Sequence, residues 1–109
     1  MQGRLLIKHA VGGRTFVDTA KTPAAFAVNE LPGGAGWTFE AKLEDGPAVR
    51  NVLSWRRELN VFVFEEDRQP VVKHWYYVDP ESVSYDEASS TLRLRAVSKL
   101  AYVPDEYTW

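Results

Sequence analysis

Two histidines are the side chains of this sequence best suited to proton transfer, because imidazole titrates nearest to neutral pH. His9 and His74 each lie on a predicted strand, and no His-x-His or His-Glu-x-x-His spacing is present to hold a metal ion. A catalytic site would need the fold to bring a carboxylate to His74, which would then act as general base. We expect His74 at a sheet face or interface, and His9 on the surface.

Other catalytic and cofactor signatures are missing from the sequence. The chain has no cysteine, which excludes disulfides, thiolate catalysis and cysteine-bound zinc. The glycine-rich stretch 31–36 lacks the Lys-Ser/Thr pair of a phosphate loop, and there is no Gly-x-Ser-x-Gly elbow. The acidic runs 65–67 and 105–106 lack the spacing of a calcium loop and are expected to be solvated turns. We therefore predict no catalytic residue, no metal and no cofactor.

A group of cationic and aromatic residues has the character of a binding surface. Lys73, Trp75 and Tyr77 alternate onto one face of a predicted strand, and Arg93 and Arg95 onto one face of another. If the two strands are neighbours, cations lie beside flat rings, a combination that is enriched at binding hot spots and that also stacks on sugars or bases. These five residues are the predicted binding site. The alternative is that Trp75 and Tyr77 belong to the core and that the arginines only solvate the outer sheet.

Length and composition set the broad class of the protein. With 109 residues, 45% hydrophobic and 26% charged, the chain is expected to form one globular domain. We assign residues 1–104 to a β domain and 105–109 to an acidic, aromatic tail. The net charge of −2 disfavours nucleic-acid binding, which usually requires a positive excess. No apolar run has the length of a signal peptide or a membrane span, so we expect a cytoplasmic protein without a membrane partner.

Two apolar runs in the middle of the chain, 61–64 and 71–78, are predicted to form a hairpin around the polar loop 65–70. Both runs are apolar on both faces, which is typical of strands at the centre of a covered sheet. The cover would come from the chain itself or from a second copy.

The remaining strand signals lie on either side of this hairpin. Residues 37–43 alternate apolar and polar side chains as a half-buried strand does. The Gly12-Gly13 dipeptide predicts an N-terminal hairpin. Strands at 83–85 and 91–97 predict a second hairpin, with Leu92, Leu94 and Ala96 facing inward, and 100–103 reads as a separate short strand. Residues 24–28 fit a strand or one helical turn.

Residues 45–60 fit two interpretations equally well. As a helix, Asp45 caps the start, and Arg56 and Arg57 occupy the last turn. As a strand, Val49, Leu53 and Trp55 share a face. Both interpretations bury Trp55. The predicted fold class is therefore mainly β, a single antiparallel sheet forming a sandwich or a partly closed barrel, with one optional short helix around 47–58.

These observations predict a non-catalytic protein-binding module, such as a small adaptor, inhibitor, immunity-type protein or assembly component, that uses a β-sheet face. Its partner would be another protein or itself, as a homodimer or larger oligomer, because the strands carry more apolar surface than one thin sheet can hide. One alternative is a small-ligand or carbohydrate binder with Trp37, Trp75 and Tyr77 as stacking platforms. Another is a small enzyme with His74 as general base.

Overall fold

The computed structural model describes residues 3–66 and 71–103, and within them the chain forms eight strands and one α-helix. The predicted tail 105–109 and most of the predicted loop 65–70 lie outside the described residues. The elements are β1 (Gly3–His9), β2 (Thr15–Asp18), β3 (Phe26–Glu30), β4 (Trp37–Lys42), α1 (Pro47–Ser54), β5 (Leu59–Glu65), β6 (Val72–Val78), β7 (Ser84–Asp86) and β8 (Thr91–Tyr102), with 3₁₀ turns at Pro32–Gly34 and Pro80–Ser82.

All eight strands belong to one antiparallel sheet, in the order β2-β1-β5-β6-β8-β4-β3, with β7 paired to the start of β8. The sheet curls into a half-barrel, which confirms the prediction of a mainly β fold with a partly closed barrel. No helix within the described ranges has the length and apolarity needed to cross a lipid bilayer.

The β5–β6 hairpin lies inside the sheet and is covered on both faces, as the sequence predicts. Val61 and Val63 are fully buried on the inner face of the half-barrel, where they pack with the main core. Phe62 and Phe64 are buried on the outer face with Leu6, and Trp75 packs against them. Buried apolar surface on both sides of one strand requires cover from both sides, and here the chain supplies much of it.

Residues 47–54 form the helix α1, so the helical interpretation of this region is confirmed. Val49 and Val52 bury its apolar side. The cap differs from the prediction, because the helix begins after Gly46, with Pro47 in its first turn and no capping hydrogen bond from a side chain.

The end of the helix also differs from the prediction. α1 ends at Ser54, so Arg56 and Arg57 lie beyond it rather than in its last turn. The prediction that Trp55 is buried is wrong, because Trp55 is the C-cap residue, outside the buried stripe, and is 43% exposed.

The segment predicted as two strands, 91–97 and 100–103, is one continuous strand, β8. Its pairing with β6 shifts at Tyr77 and Val78, which pair with Ser98 and Ala96, so Val97 is an extra residue. A bulge of this kind breaks the alternation of side chains without ending the strand. For this reason the sequence pattern suggested a gap. Leu92, Leu94 and Ala96 face the core, as predicted.

The two halves of β8 have different neighbours. Residues 91–96 pair with β4 on one side, and with β7 and the end of β6 on the other. β4 begins at Trp37, opposite Ala96, and Gly36 just before it approaches so closely that an added Cβ would lie 2.2 Å from the Ala96 carbonyl oxygen. From Val97 onward, β8 pairs only with β6 in the described part of the chain.

Candidate functional site

The five predicted binding residues lie on the outer face of the sheet, but in two separate groups. The group on β6 consists of Lys73, Trp75 and Tyr77, whose partners in register lie on the second half of β8. Arg93 and Arg95 lie on the first half of β8, opposite residues of β4. The register therefore does not place the arginines directly beside the aromatic residues of β6.

The two arginines are engaged with carboxylates. Arg93 Nε donates to Glu40 Oε2 at 3.1 Å, and Arg95 Nη2 donates to Asp79 Oδ2 at 2.8 Å. The hydrogen bond from Arg95 holds the pKa of the Asp79 carboxyl below its usual value. Arg93 also reaches Asp86 Oδ2 at 3.5 Å. This half of the outer face is thus a solvated surface of ion pairs rather than an open cationic site.

Lys73 is buried beneath aromatic rings. Its Nζ lies 4.4 Å from the ring centroid of Phe62, and 5.5 Å from the centroids of both Phe64 and Tyr102. Burial, together with the nearby charge of Lys8, lowers the pKa of Lys73 to about 8. Lys73 therefore packs against the aromatic rings of this face, and its ammonium group is not exposed.

Trp75 and Tyr77 fit neither the core interpretation nor the binding-surface interpretation completely. Trp75 is half-buried, with its Nε1 donating to Asn60 Oδ1 at 3.2 Å and its ring centroid 5.8 Å from that of Phe62. The ring of Tyr77 lies 5.4 Å from Trp75 and is 45% exposed. Trp75 thus connects the outer core to the surface, and Tyr77 belongs to the surface.

Further large apolar side chains are exposed on the second half of β8 and just beyond it, and sequence reasoning missed them as binding residues. Val97, Leu100, Val103 and Tyr102 are 55%, 51%, 50% and 37% exposed. The available signal was the stretch 97–103, which contains one charged residue in seven, where an exposed strand usually alternates with charges. We call these four residues, together with Tyr77 and Trp75, the apolar strip.

A polar cluster occupies the inner face of the same strands. His74 Nε2 lies 2.6 Å from Glu65 Oε1, and His74 Nδ1 lies 3.3 Å from Lys99 Nζ. Because an ammonium group only donates, Nδ1 is assigned as the acceptor and Nε2–H as the donor to Glu65. Both ring nitrogens are therefore in use, and the His74 side chain is only 8% exposed.

Aromatic rings surround this polar cluster. Lys99 Nζ lies 5.1 Å from the centroid of Trp37 and 5.8 Å from that of Tyr76. Burial, with the charges of Glu65 and Glu30, raises the pKa of Tyr76 to about 12, so its hydroxyl stays protonated. Because Trp37 lies on the inner face, it cannot form one stacking surface with Trp75 and Tyr77 on the outer face.

His9 is not the surface residue that the sequence predicted. Its side chain is 16% exposed, and its Nε2 lies 2.9 Å from Glu58 Oε1. Its ring centroid lies 4.8 Å from that of Trp55 and 5.8 Å from that of Phe16. The reason is that the turn after α1 brings Trp55 over the end of β1, which covers the imidazole.

In the described residues, no three His, Asp or Glu side chains gather closely enough to hold a metal ion. Comparisons with protein families, characterised proteins and solved structures found no match to this chain. Any functional interpretation therefore rests on the geometry of the two faces.

Proposed function

We propose that this protein is a non-catalytic protein-binding module whose contact surface is the apolar strip. The observation that carries the proposal is the exposure of four large apolar side chains, between 37% and 55%, on the neighbouring strands β6 and β8, and of a fifth, Val103, just beyond β8. Large apolar side chains grouped in this way on a protein surface are typical of interaction sites. Aromatic residues are also the types most enriched at binding hot spots.

The surroundings of the strip support this proposal. Trp75 and Tyr77 are anchored on a buried aromatic layer, so their rings lose little conformational freedom on binding. The ion pairs of Arg93 and Arg95 lie on the same face and supply the polar rim that usually surrounds an apolar contact. The partner is a protein, either another chain or a second copy of this one.

The proposal is tested by capturing partners with a variant that removes the strip. The double variant Tyr77→Ser/Leu100→Ser truncates two exposed side chains and should leave the fold intact. Val11→Ser is the matched control, because Val11 is 65% exposed in the turn between β1 and β2, away from the strip. Each immobilised protein is incubated with a lysate of its source cells to which untagged parent chain has been added, so that self-association is also detected.

We expect the parent protein and Val11→Ser to retain the same proteins, and the double variant to lose them. Circular dichroism and thermal unfolding check that all three proteins are folded. A retained set that is unchanged in the folded double variant would contradict the proposal.

A second candidate function is an enzyme with His74 as general base, and the contact of 2.6 Å between His74 and Glu65 favours it. A carboxylate that orients an imidazole is a common device in general-base catalysis. In this arrangement the basic nitrogen would be Nδ1, from which Lys99 would have to be displaced. Turnover of p-nitrophenyl esters or phosphates that disappears in His74→Gln and persists in His9→Gln would support this candidate. Equal turnover in both variants would exclude His74.

A further inference from the structure

Within residues 3–66 and 71–103, one backbone edge of the second half of β8 has no paired strand. β6 pairs with residues 98–102 on one side, while β4 begins at Trp37, opposite Ala96, and does not reach them. Among the described residues, no strand pairs with the β4-side edge beyond Ala96, and no turn or side chain forms a hydrogen bond to it. Unpaired N–H and C=O groups along an extended strand are a template for another strand.

Apart from the bulge at Val97 and the inward-pointing Lys99, this edge has few of the features that usually prevent strand pairing, as far as the described residues show. Residues 97–103 contain no proline, and their one charged residue is Lys99. The ammonium of Lys99 points to the inner face, where it already contacts His74 and the ring of Trp37. In contrast, the strands that end the sheet, β2 and β3, are only four and five residues long. Short edge strands are one of the ways in which proteins avoid unwanted pairing.

We propose that the second half of β8 pairs antiparallel with the same segment of a second copy, about a two-fold axis at Leu100. This inference rests on the proposed function and identifies the binding partner as a second copy of the chain. In this register Leu100 lies opposite Leu100 of the second copy, Ser98 opposite Tyr102, and Lys99 opposite Ala101. The axis is perpendicular to the sheet, so the outer faces of the two copies are continuous and their apolar strips meet.

Self-pairing at this register follows from the residues along the edge. When two copies pair antiparallel and keep their outer side chains on the outer face, the two-fold axis must pass between a residue and the same residue of the second copy. The alternatives next to Leu100 are Lys99 and Ala101. An axis at Lys99 would place two ammonium groups opposite each other, which is unfavourable. An axis at Ala101 would bring residue 104, a proline without a backbone N–H, into the pairing. The axis at Leu100 uses the whole segment 97–103 and opposes no like charges.

The first test measures the mass of the protein in solution. Light scattering and sedimentation across roughly two decades of micromolar concentration should show a species of twice the chain mass of 12.4 kDa, with monomer at the dilute end. Leu100→Lys places two ammonium groups at the axis and should weaken the dimer by about 100-fold or more, because juxtaposed like charges are strongly unfavourable in an interface. Val11→Lys adds the same charge at a remote exposed position and should leave the dimer unchanged.

The second test reads the register directly, since the natural chain has no cysteine. Single variants Ser98→Cys, Leu100→Cys and Tyr102→Cys are oxidised under the same conditions. In Leu100→Cys the new cysteine lies opposite the same cysteine of the second copy. In Ser98→Cys or Tyr102→Cys the two cysteines of a dimer lie about 13 Å apart along the strand. We expect Leu100→Cys to crosslink fastest, and an equal mixture of Ser98→Cys and Tyr102→Cys to form mixed dimers.

Three results would overturn the inference: a monomer at every concentration, a dimer that Leu100→Lys leaves intact, or fastest crosslinking at another position. Its failure is distinguishable from failure of the proposed function. If the chain is monomeric and the folded double variant Tyr77→Ser/Leu100→Ser still loses captured proteins, the strip binds a different protein. If the capture is also unchanged, both proposals fail.

Discussion

The two halves of β8 belong to one strand but have opposite surface character. In the first half, buried Leu92 and Leu94 alternate with exposed Arg93 and Arg95, and each arginine is paired with a carboxylate. In the second half, Leu100 is 51% exposed and Tyr102 is 37% exposed. The halves differ in what lies beside them, because β4 pairs with residues 91–96 and does not reach the second half.

This difference shows that a bulge and the extent of a neighbouring strand, and not the local sequence alone, decide what a strand exposes. Leu94 is buried because it faces the inner core and has strands on both sides. The bulge at Val97 turns Leu100 to the outer face, where it pairs with Trp75, and in the described part of the chain a strand lies on one side of it only. The exposure of the apolar strip is thus a consequence of the bulge and of how far β4 extends.

The largest expected effect comes from truncating one leucine in each half. Leu94→Ala should lower the free energy of unfolding by about 2–5 kcal/mol, as large-to-small changes in a core do. Leu100→Ala should stay within about 0.5 kcal/mol at concentrations where the chain is monomeric, as surface changes usually do. Chemical denaturation of both variants measures the difference. Equal losses would mean that the two halves do not differ in burial.

An intermediate loss of stability is expected from a substitution at Gly36, just before β4, where the chain approaches the middle of β8. Gly36 has φ +122, and an added Cβ would lie 2.2 Å from the Ala96 carbonyl oxygen. Gly36→Ala should therefore destabilise the fold by about 1–3 kcal/mol or more, through backbone strain and a steric clash.

Gly12→Ala is the matched control for this effect. Gly12 also has positive φ, but an added Cβ would meet nothing within 4 Å. The difference in unfolding free energy between the two variants isolates the clash at the junction. If Gly12→Ala were as costly as Gly36→Ala, the close approach to Ala96 would contribute nothing.

The two halves should also differ in how stability responds to pH. Burial lowers the pKa of Lys73, beside the second half, from 10.5 to about 8. The unfolded chain then holds more protons than the folded chain between these values, so stability should rise as the pH increases from about 8 to about 10.5. Denaturant unfolding across this range should show the rise in the parent protein and lose it in Lys73→Met.

The first half should respond at acidic pH instead. The hydrogen bond from Arg95, on the first half of β8, lowers the pKa of Asp79. The stability that this carboxylate contributes is therefore present above the ordinary pKa of the group, and it is lost as the pH falls through the lowered pKa. Asp79→Asn should remove that acid dependence and leave the alkaline rise unchanged. An alkaline rise that persists in Lys73→Met would assign it to another group.

The sequence predicted the sheet well and the binding surface only in part. The two-faced apolarity of residues 61–64 and the alternation at Trp37 are local properties, and they were sufficient to predict a central hairpin and a strand. The exposure of Leu100 depends on the bulge at Val97 and on how far β4 extends, and the alternation of residues within β8 predicts neither. The contact between His74 and Glu65 likewise depends on strand register, and the nine-residue separation of the two does not reveal it.

The polar cluster of Glu65, His74 and Lys99 takes one side chain from each of three adjacent strands, β5, β6 and β8. If β6 slipped by one residue against its neighbours, the imidazole would turn to the outer face. A carboxylate and an ammonium group would then remain inside without their shared partner, at a substantial cost in free energy. The cluster therefore disfavours misaligned hairpins during folding, and it selects the one alignment in which all three side chains meet.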